Sequence, residues 1–106
     1  MKAVDTRELV HFLKAHLDKD LGFINKLKCL CRSYVCPFDD LLNFIPENQH
    51  VLDIGCGAGT FLQIIAEYRS PRSLAGLETN PVLIVHARSG LQRYSEIPLQ
   101  LEVYDG

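Results

Sequence analysis

Residues 50–62 read HVLDIGCGAGTFL, an apolar run that leads straight into three glycines at alternate positions, Gly55, Gly57 and Gly59. A second apolar run, with helical spacing, follows at once. Glycine loses more conformational entropy on folding than any other residue, so three glycines this close together require a structural reason. A sharp turn from a strand into a helix supplies one, because glycine accepts positive φ angles and lets another molecule approach the backbone.

Two further strands and two helices are predicted after this loop. Apolar residues at helical spacing indicate a helix over residues 60–69, and LAGLE, residues 74–78, indicates a buried strand. Asn80 and Pro81 are a favoured cap and a favoured first residue for the next helix. The alternating segment PLQLEVYDG, residues 98–106, predicts a third strand.

Strands that alternate with helices in such short steps favour parallel pairing with right-handed crossovers. We therefore expect an α/β fold, a Rossmann-like half domain with three parallel strands in the order 3-2-1. Before the first strand, apolar stripes after Asp5, over residues 23–35 and after Pro37 predict three helices, and Leu41, Leu42 and Ile45 are expected on the buried side of the third. The chain then divides into a helical N-terminal extension, residues 1–46, and a partial Rossmann-like domain, residues 47–106.

The composition is that of one small globular domain, with 106 residues, 47% of them hydrophobic and 23% charged. The longest apolar runs are far too short to cross a bilayer, and no signal peptide is recognisable. We therefore expect a cytoplasmic protein without a membrane partner. Residues 1–36 carry seven basic against four acidic residues. Because these charges are scattered singly, they favour a solvated helix surface over a nucleic-acid interface.

Four cysteines, Cys29, Cys31, Cys36 and Cys56, are interpreted as free thiols of a cytosolic protein. The spacing of the first three, C-x-C-x4-C, matches no common zinc pattern, so no metal site is predicted. The four histidines are scattered along the chain, and no nucleophile-base arrangement follows from their spacing.

An acidic residue, Glu78, ends the second predicted strand 19 residues after Gly59. A carboxylate there can accept hydrogen bonds from both hydroxyls of a ribose, so loop and acid together predict an adenosine-type ligand. The alternative is a tight turn beside a surface glutamate. The glycine spacing is G-x-G-x-G, which disfavours the G-x-G-x-x-G dinucleotide fingerprint, and the absence of Gly-Lys-Ser/Thr excludes a P-loop.

These segments resemble the motifs of class I S-adenosylmethionine-dependent methyltransferases. VLDIGCGAGTFL, residues 51–62, strongly resembles their first motif, and LAGLETNP, residues 74–81, resembles their second. LQLEVYDG, residues 99–106, looks like their third strand, and YVCPFDDLLNFIPENQ, residues 34–49, resembles the helical lead-in to the first motif. The resemblance covers about residues 50–106 and implies a methyltransferase with S-adenosylmethionine as its cofactor.

The resemblance implies roles for the residues of the first motif. Asp53 would hold the methionine end of the cofactor, directly or through water. Gly55, Cys56, Gly57 and Gly59 would line the path of the cofactor with their backbone. Asp53 could also have a structural role, because a negative charge near the N-terminus of the next helix stabilises that helix. Both roles stay open.

The resemblance also implies roles at the ends of the second and third strands. Glu78 would accept the ribose hydroxyls, Thr79 would lie against the adenine face, and Asp105 would meet the adenine amino group. The sequence identifies neither catalytic residues nor the methyl acceptor.

The family's domain usually has seven strands, and the half that holds the methyl acceptor follows the three strands present here. The first strand, apolar on both faces, is typical of a central strand, yet it has a neighbour on one side only. We expect the chain to be the cofactor-binding portion of a truncated or longer methyltransferase. The alternative is a non-catalytic module formed by a truncated methyltransferase domain, which binds a nucleotide or adenosine or self-associates. Its exposed strand-one edge would pair with a second copy, as a homodimer, or with another chain.

Overall fold

A computed structural model describes residues 3–16 and 38–105 of the chain. Its helices and strands, numbered in chain order, are α1 Thr6–His16, α2 Phe38–Asn43, β1 His50–Ile54, α3 Thr60–Arg69, β2 Ser73–Glu78, α4 Pro81–Leu91, a 3-10 turn Gln92–Tyr94 and β3 Leu99–Val103. The helix predicted over residues 23–35 lies outside the described residues, as do the first three cysteines.

The three strands form one parallel sheet in the order β1-β2-β3, which confirms the Rossmann-like half fold and the 3-2-1 order. In the register of the sheet, Asp53 of β1 lies beside Gly76 of β2, and Gly76 lies beside Leu101 of β3. Because the strands are parallel, the carboxyl ends of all three meet at one edge, where the loops to the following helices begin.

The hydrophobic core lies between one face of this sheet and the helices. Leu74 and Leu101 of the sheet and Leu62 and Ile65 of α3 are almost completely buried in it. α1 and α2 belong to the same core, to which they contribute the buried side chains of Leu9, Leu13, Phe38 and Leu42.

The predicted helix starts at Asp5 and Asn80 are confirmed. Oδ1 of Asp5 accepts a hydrogen bond from the backbone N of Glu8 at 2.9 Å. Oδ1 of Asn80 accepts one from the backbone N of Val82 at 2.9 Å, and Pro81 is the first residue of α4. Each cap satisfies a backbone donor that a helix N-terminus otherwise leaves unpaired.

Two expectations of burial are wrong. Leu41 is 44% exposed, because α2 turns Phe38 and Leu42 to the core and Leu41 lies about 100° round the helix axis from Leu42. Leu52 and Ile54 of β1 are 57% and 67% exposed, although the apolar run predicted a strand covered on both faces. Burial alternates along β1 because it is an edge strand whose second face has no helix over it within residues 3–16 and 38–105.

Among the described helices, none is long and apolar enough to span a membrane.

Candidate ligand-binding site

The glycine loop between β1 and α3 is fixed to the end of β2 by its backbone. Gly55, Gly57 and Gly59 have φ angles of 78°, 58° and 80°, the left-handed region that side chains rarely adopt. The backbone N of Gly55 and that of Cys56 both donate to the carbonyl oxygen of Leu77, at 2.7 and 2.9 Å. The left-handed turns thus fold the loop over the carboxyl end of the neighbouring strand.

Glu78 is held by the same loop. Its Oε1 accepts a hydrogen bond from the backbone N of Gly57 at 3.0 Å. Its Oε2 accepts one from the backbone N of Asn80 at 2.8 Å and one from the Thr79 hydroxyl at 3.2 Å. An ionised carboxylate offers about four acceptor positions, so it retains capacity for a ligand hydroxyl.

These contacts lower the pKa of Glu78 from its ordinary value. The largest cause is the hydrogen bond from the Asn80 amide, and the Gly57 amide and the Thr79 hydroxyl and amide act in the same direction, while burial opposes them. The carboxylate is therefore ionised at neutral pH and fixed in orientation before any ligand arrives. The structure brings together the two features that the sequence separates, the glycine loop and the acid.

Asp53 lies in an open cleft of about 220 Å³ beside the glycine loop. The cleft is bounded by β1, the loop, α2 and the first turn of α3, and its lining residues are Phe38, Leu41, Asp53, Gly55, Cys56, Thr60 and Phe61. Complete small-molecule pockets commonly measure about 300–1,000 Å³. The described residues thus form a partial pocket with one carboxylate, exposed loop backbone and aromatic walls.

The aromatic wall of the cleft was not predicted from the sequence. The rings of Phe38 and Phe61 stack with centroids 5.2 Å apart and planes 10° from parallel. The two phenylalanines belong to separate helices, and nothing local in the sequence pairs positions this far apart. The stack joins the start of α2 to the start of α3 at the rim of the cleft.

The side chain of Cys56 packs into the hydrophobic core. The residue is 5% exposed, and its Sγ lies 3.7 Å from the carbonyl oxygen of Gly57. Burial, as the largest cause, and the negative charges of Asp53 and Glu78 together raise the pKa of the thiol to about 11. The thiol is therefore neutral at pH 7.

Gly76, in the middle of β2, makes room for this thiol. A Cβ at Gly76 would lie 2.8 Å from Sγ of Cys56 and 2.9 Å from Cδ2 of Leu101. Sequence reasoning missed this role, although a glycine inside a predicted strand is a sign of close approach.

Gly59 has a packing role that the motif did not reveal. It is buried, and a Cβ on it would lie 2.9 Å from Cβ of Ala87 on α4. The start of α3 thus approaches α4 more closely than any side chain at this position would permit.

Thr79 and Asp105 are both exposed at the carboxyl edge of the sheet. Thr79 follows β2 directly, and its hydroxyl donates to Glu78. Asp105 follows β3, where the backbone N of Tyr104 donates to the carbonyl oxygen of Glu78 at 3.2 Å. Across the described part of the chain, no three His, Cys, Asp or Glu residues are placed to hold a metal ion.

The family model described as methionine biosynthesis protein MetW matches residues 36–94, more than half of the chain. A comparison with curated proteins found no match.

Solved structures share the fold at low sequence identity. TrmK from M. capricolum, in complex with S-adenosyl-homocysteine, is 10% identical with a TM-score of 0.57 over 67% of this chain. A SAM-dependent methyltransferase from Geobacter sulfurreducens, also with S-adenosyl-L-homocysteine, is 17% identical with a TM-score of 0.52 over 61% of this chain. Coclaurine N-methyltransferase, bound to N-methylheliamine and SAH, is 15% identical with a TM-score of 0.55 over 95% of this chain.

The chain spans 32%, 26% and 36% of the length of these three proteins, respectively. At such identities the likeness establishes the fold, that of class I methyltransferases. The match of the family model adds a relationship in sequence across α2, the glycine loop, β2 and α4. The chain therefore belongs to the MetW family and has a Rossmann-like half fold that these methyltransferases share.

Proposed function

We propose that the chain binds S-adenosylmethionine and forms the cofactor-binding portion of a methyltransferase. The observation that carries the proposal is the hydrogen bond from the Gly57 amide to Oε1 of Glu78, which joins the glycine loop to the acid at the end of β2. Two of the solved structures with this fold are described as complexes with S-adenosyl-homocysteine, the product of the cofactor, and a third as bound to SAH.

In this proposal the loop and Asp53 hold the amino-acid end of the cofactor. Asp53 lines the cleft and would accept from the ammonium group, directly or through water. The backbone of Gly55, Cys56, Gly57 and Gly59 would run along the ligand, with the Cys56 side chain turned into the core. When bound, S-adenosylmethionine supplies an activated methyl group on a sulfonium.

The adenosine end would lie across the carboxyl ends of β2 and β3. Glu78, ionised and already oriented by three donors, would accept a hydrogen bond from a ribose hydroxyl. Thr79 would lie against one face of the adenine, and Asp105 would accept from its amino group. Within the proposal, residues 1–46 contribute the α2 wall of the cleft and residues 47–106 contribute the binding loops.

Isothermal titration calorimetry with S-adenosyl-homocysteine tests the proposal on the chain as it exists. We expect saturable binding, and we expect Glu78→Ala to weaken it by about tenfold or more, since a charge-assisted hydrogen bond contributes about 1.5–3 kcal/mol. Glu102→Ala is the matched control, because Glu102 is an exposed glutamate of β3. Absence of binding by the folded wild-type chain would refute the proposal, and equal affinities of the two variants would refute the role of Glu78.

A second candidate function is self-association, which the exposure of β1 favours. Leu52 and Ile54 are more than half exposed on an edge strand, where unpaired backbone groups can pair with another strand. We propose as this alternative a non-catalytic module that forms a homodimer by pairing β1 with β1 of a second copy. Light scattering tests it: a dimer that Ile54→Lys converts to a monomer supports it, and a monomeric wild type contradicts it.

A further inference from the structure

Arg69, the last residue of α3, is 1% exposed and is hydrogen-bonded through all three of its guanidinium nitrogens. Nε donates to the carbonyl oxygens of Leu42 and Ile45, at 3.3 and 2.9 Å. Nη2 donates to Oδ1 of Asn43 at 3.2 Å, and Nη1 donates to the carbonyl oxygen of Tyr68 at 2.9 Å. Three of these four bonds thus end on residues at or just beyond the carboxyl end of α2.

Helix ends explain why a cation is stable in this position. The last carbonyl groups of a helix have no partner within the helix, and the macrodipole makes that end partly negative. A buried charge is tolerated only where hydrogen bonds satisfy it, and the carboxyl ends of α2 and α3 supply the acceptors here. Asn43 extends the network, because its Oδ1 also accepts from the backbone N of Val4 at 3.4 Å.

α2 is therefore fixed to α3 at both of its ends. Phe38 at its start stacks on Phe61, and its carboxyl end binds the guanidinium of Arg69. A helix of six residues has no stability of its own in water, so its position depends on such contacts. Leu41, one residue before the Leu42 carbonyl that Arg69 binds, lines the cleft beside Asp53.

We propose that Arg69 is a positioning residue for the cofactor cleft, which acts by holding α2 so that Phe38 and Leu41 form its wall. The inference rests on the proposed function for its ligand. Its effect is selective in space: α2 borders the end of the cleft that contains Asp53, whereas Glu78 is held by the glycine loop and by the start of α4. Loss of Arg69 should therefore weaken the methionine end of the site and leave the ribose end intact.

The test compares S-adenosyl-homocysteine with adenosine, which lacks the amino-acid end. Arg69→Met and Arg69→Lys are titrated with both ligands by amide NMR, at a temperature where circular dichroism shows each variant folded. Arg88→Met is the matched control, since Arg88 is an exposed arginine of α4 with one bond, to the carbonyl oxygen of Leu101 at 3.4 Å. We expect Arg69→Met to raise the Kd for S-adenosyl-homocysteine about tenfold and that for adenosine less than about twofold. Arg69→Lys should recover part of the loss.

Hydrogen exchange gives a readout that needs no ligand. The backbone N of Phe44 donates to the carbonyl oxygen of Leu41, and that of Ile45 donates to Leu42. Both amides should exchange faster in Arg69→Met. The amide of Gln63 in α3, which donates to the carbonyl oxygen of Gly59 just before the helix, should keep its wild-type rate.

The inference would be overturned if Arg69→Met weakened the affinity for both ligands equally. It would also be overturned if the amides of Phe44 and Ile45 exchanged at their wild-type rates in this variant. Failure of the wild type to bind either ligand would refute the proposed function and the ligand role of Arg69 with it, while exchange would still report whether Arg69 holds α2. Should Arg69→Met not fold, Asn43→Ala decides instead. It removes one guanidinium partner and is expected to speed exchange at the same two amides.

Discussion

The backbone amide of Gly57 and the carboxylate of Glu78 are joined by a hydrogen bond of 3.0 Å, across 21 residues of sequence. This bond makes the loop after β1 and the end of β2 one structural unit. A ligand that needs both a close approach to backbone and a fixed acceptor would find them already assembled. Preorganisation of this kind reduces the entropy that binding would otherwise lose.

Acid should weaken the fold through Glu78. Its pKa in the folded protein is lowered, chiefly by the Asn80 amide, so the stability it contributes is present above its unfolded pKa and is lost as the pH falls through its folded pKa. We expect Glu78→Gln to be less stable than the wild type at pH 7, with the difference narrowing below about pH 4.3. Urea unfolding across this pH range measures it. If the unfolding free energies of the wild type and Glu78→Gln differed by the same amount from neutral to acid pH, the contribution of ionised Glu78 to stability would be contradicted.

Alanine should be tolerated less well at Gly59 than at Gly55. Both residues have left-handed φ angles, but a Cβ at Gly55 has no atom within 4 Å, whereas one at Gly59 meets Cβ of Ala87 at 2.9 Å. We expect Gly55→Ala to lower the free energy of unfolding by about 1–2 kcal/mol from backbone strain alone. Gly59→Ala should lose about 1–3 kcal/mol more from overpacking.

Denaturant unfolding checks this pair, and the double variant Gly59→Ala, Ala87→Gly isolates the steric part. Because that double variant removes the Cβ that clashes, it should recover some of the loss from Gly59→Ala. Equal destabilisation by Gly55→Ala and Gly59→Ala would show that the close packing of α3 on α4 does not add to the cost of a side chain at Gly59.

Gly76→Ala should destabilise the centre of the sheet. The added Cβ would meet Sγ of Cys56 at 2.8 Å, Cδ2 of Leu101 at 2.9 Å and Cδ1 of Leu62 at 3.0 Å. We expect a loss of about 1–3 kcal/mol in the free energy of unfolding. Cys56→Ala removes the nearest of these atoms. The double variant should therefore lose less unfolding free energy than the two single variants lose together. Simple additivity would argue against the contact.

The thiol of Cys56 should react slowly in the folded protein. Burial is the main reason that its pKa is raised to about 11, and only the thiolate reacts with alkylating agents. At pH 8 we expect alkylation by iodoacetamide to be at least about a hundredfold slower in the native protein than in urea. The measurement uses a variant with Cys29, Cys31 and Cys36 changed to serine, and comparable rates in the two states would contradict it.

The sequence by itself determined the features that depend on neighbours along the chain. The cap at Asn80 and the bounds of α3 follow from residues within one turn of each other, because a helix forms from contacts three or four positions apart. The parallel order of the strands followed from the alternation of strand and helix signals. The glycine loop was recognisable for the same reason, since its pattern is local.

Only the tertiary structure decided which surfaces these elements share. Two contacts show this. Gly76 packs against Cys56, 20 positions away, and Arg69 donates to the carbonyl oxygen of Leu42 at the end of α2, 27 positions away. No local spacing encodes such pairs. The exposure of Leu52 and Ile54 also could not be predicted from local sequence. Their hydrophobicity predicts burial, but burial requires a second layer over that face of the sheet, and layers come from the packing of whole elements. A side chain's character is local, whereas its environment depends on every segment that folds against it.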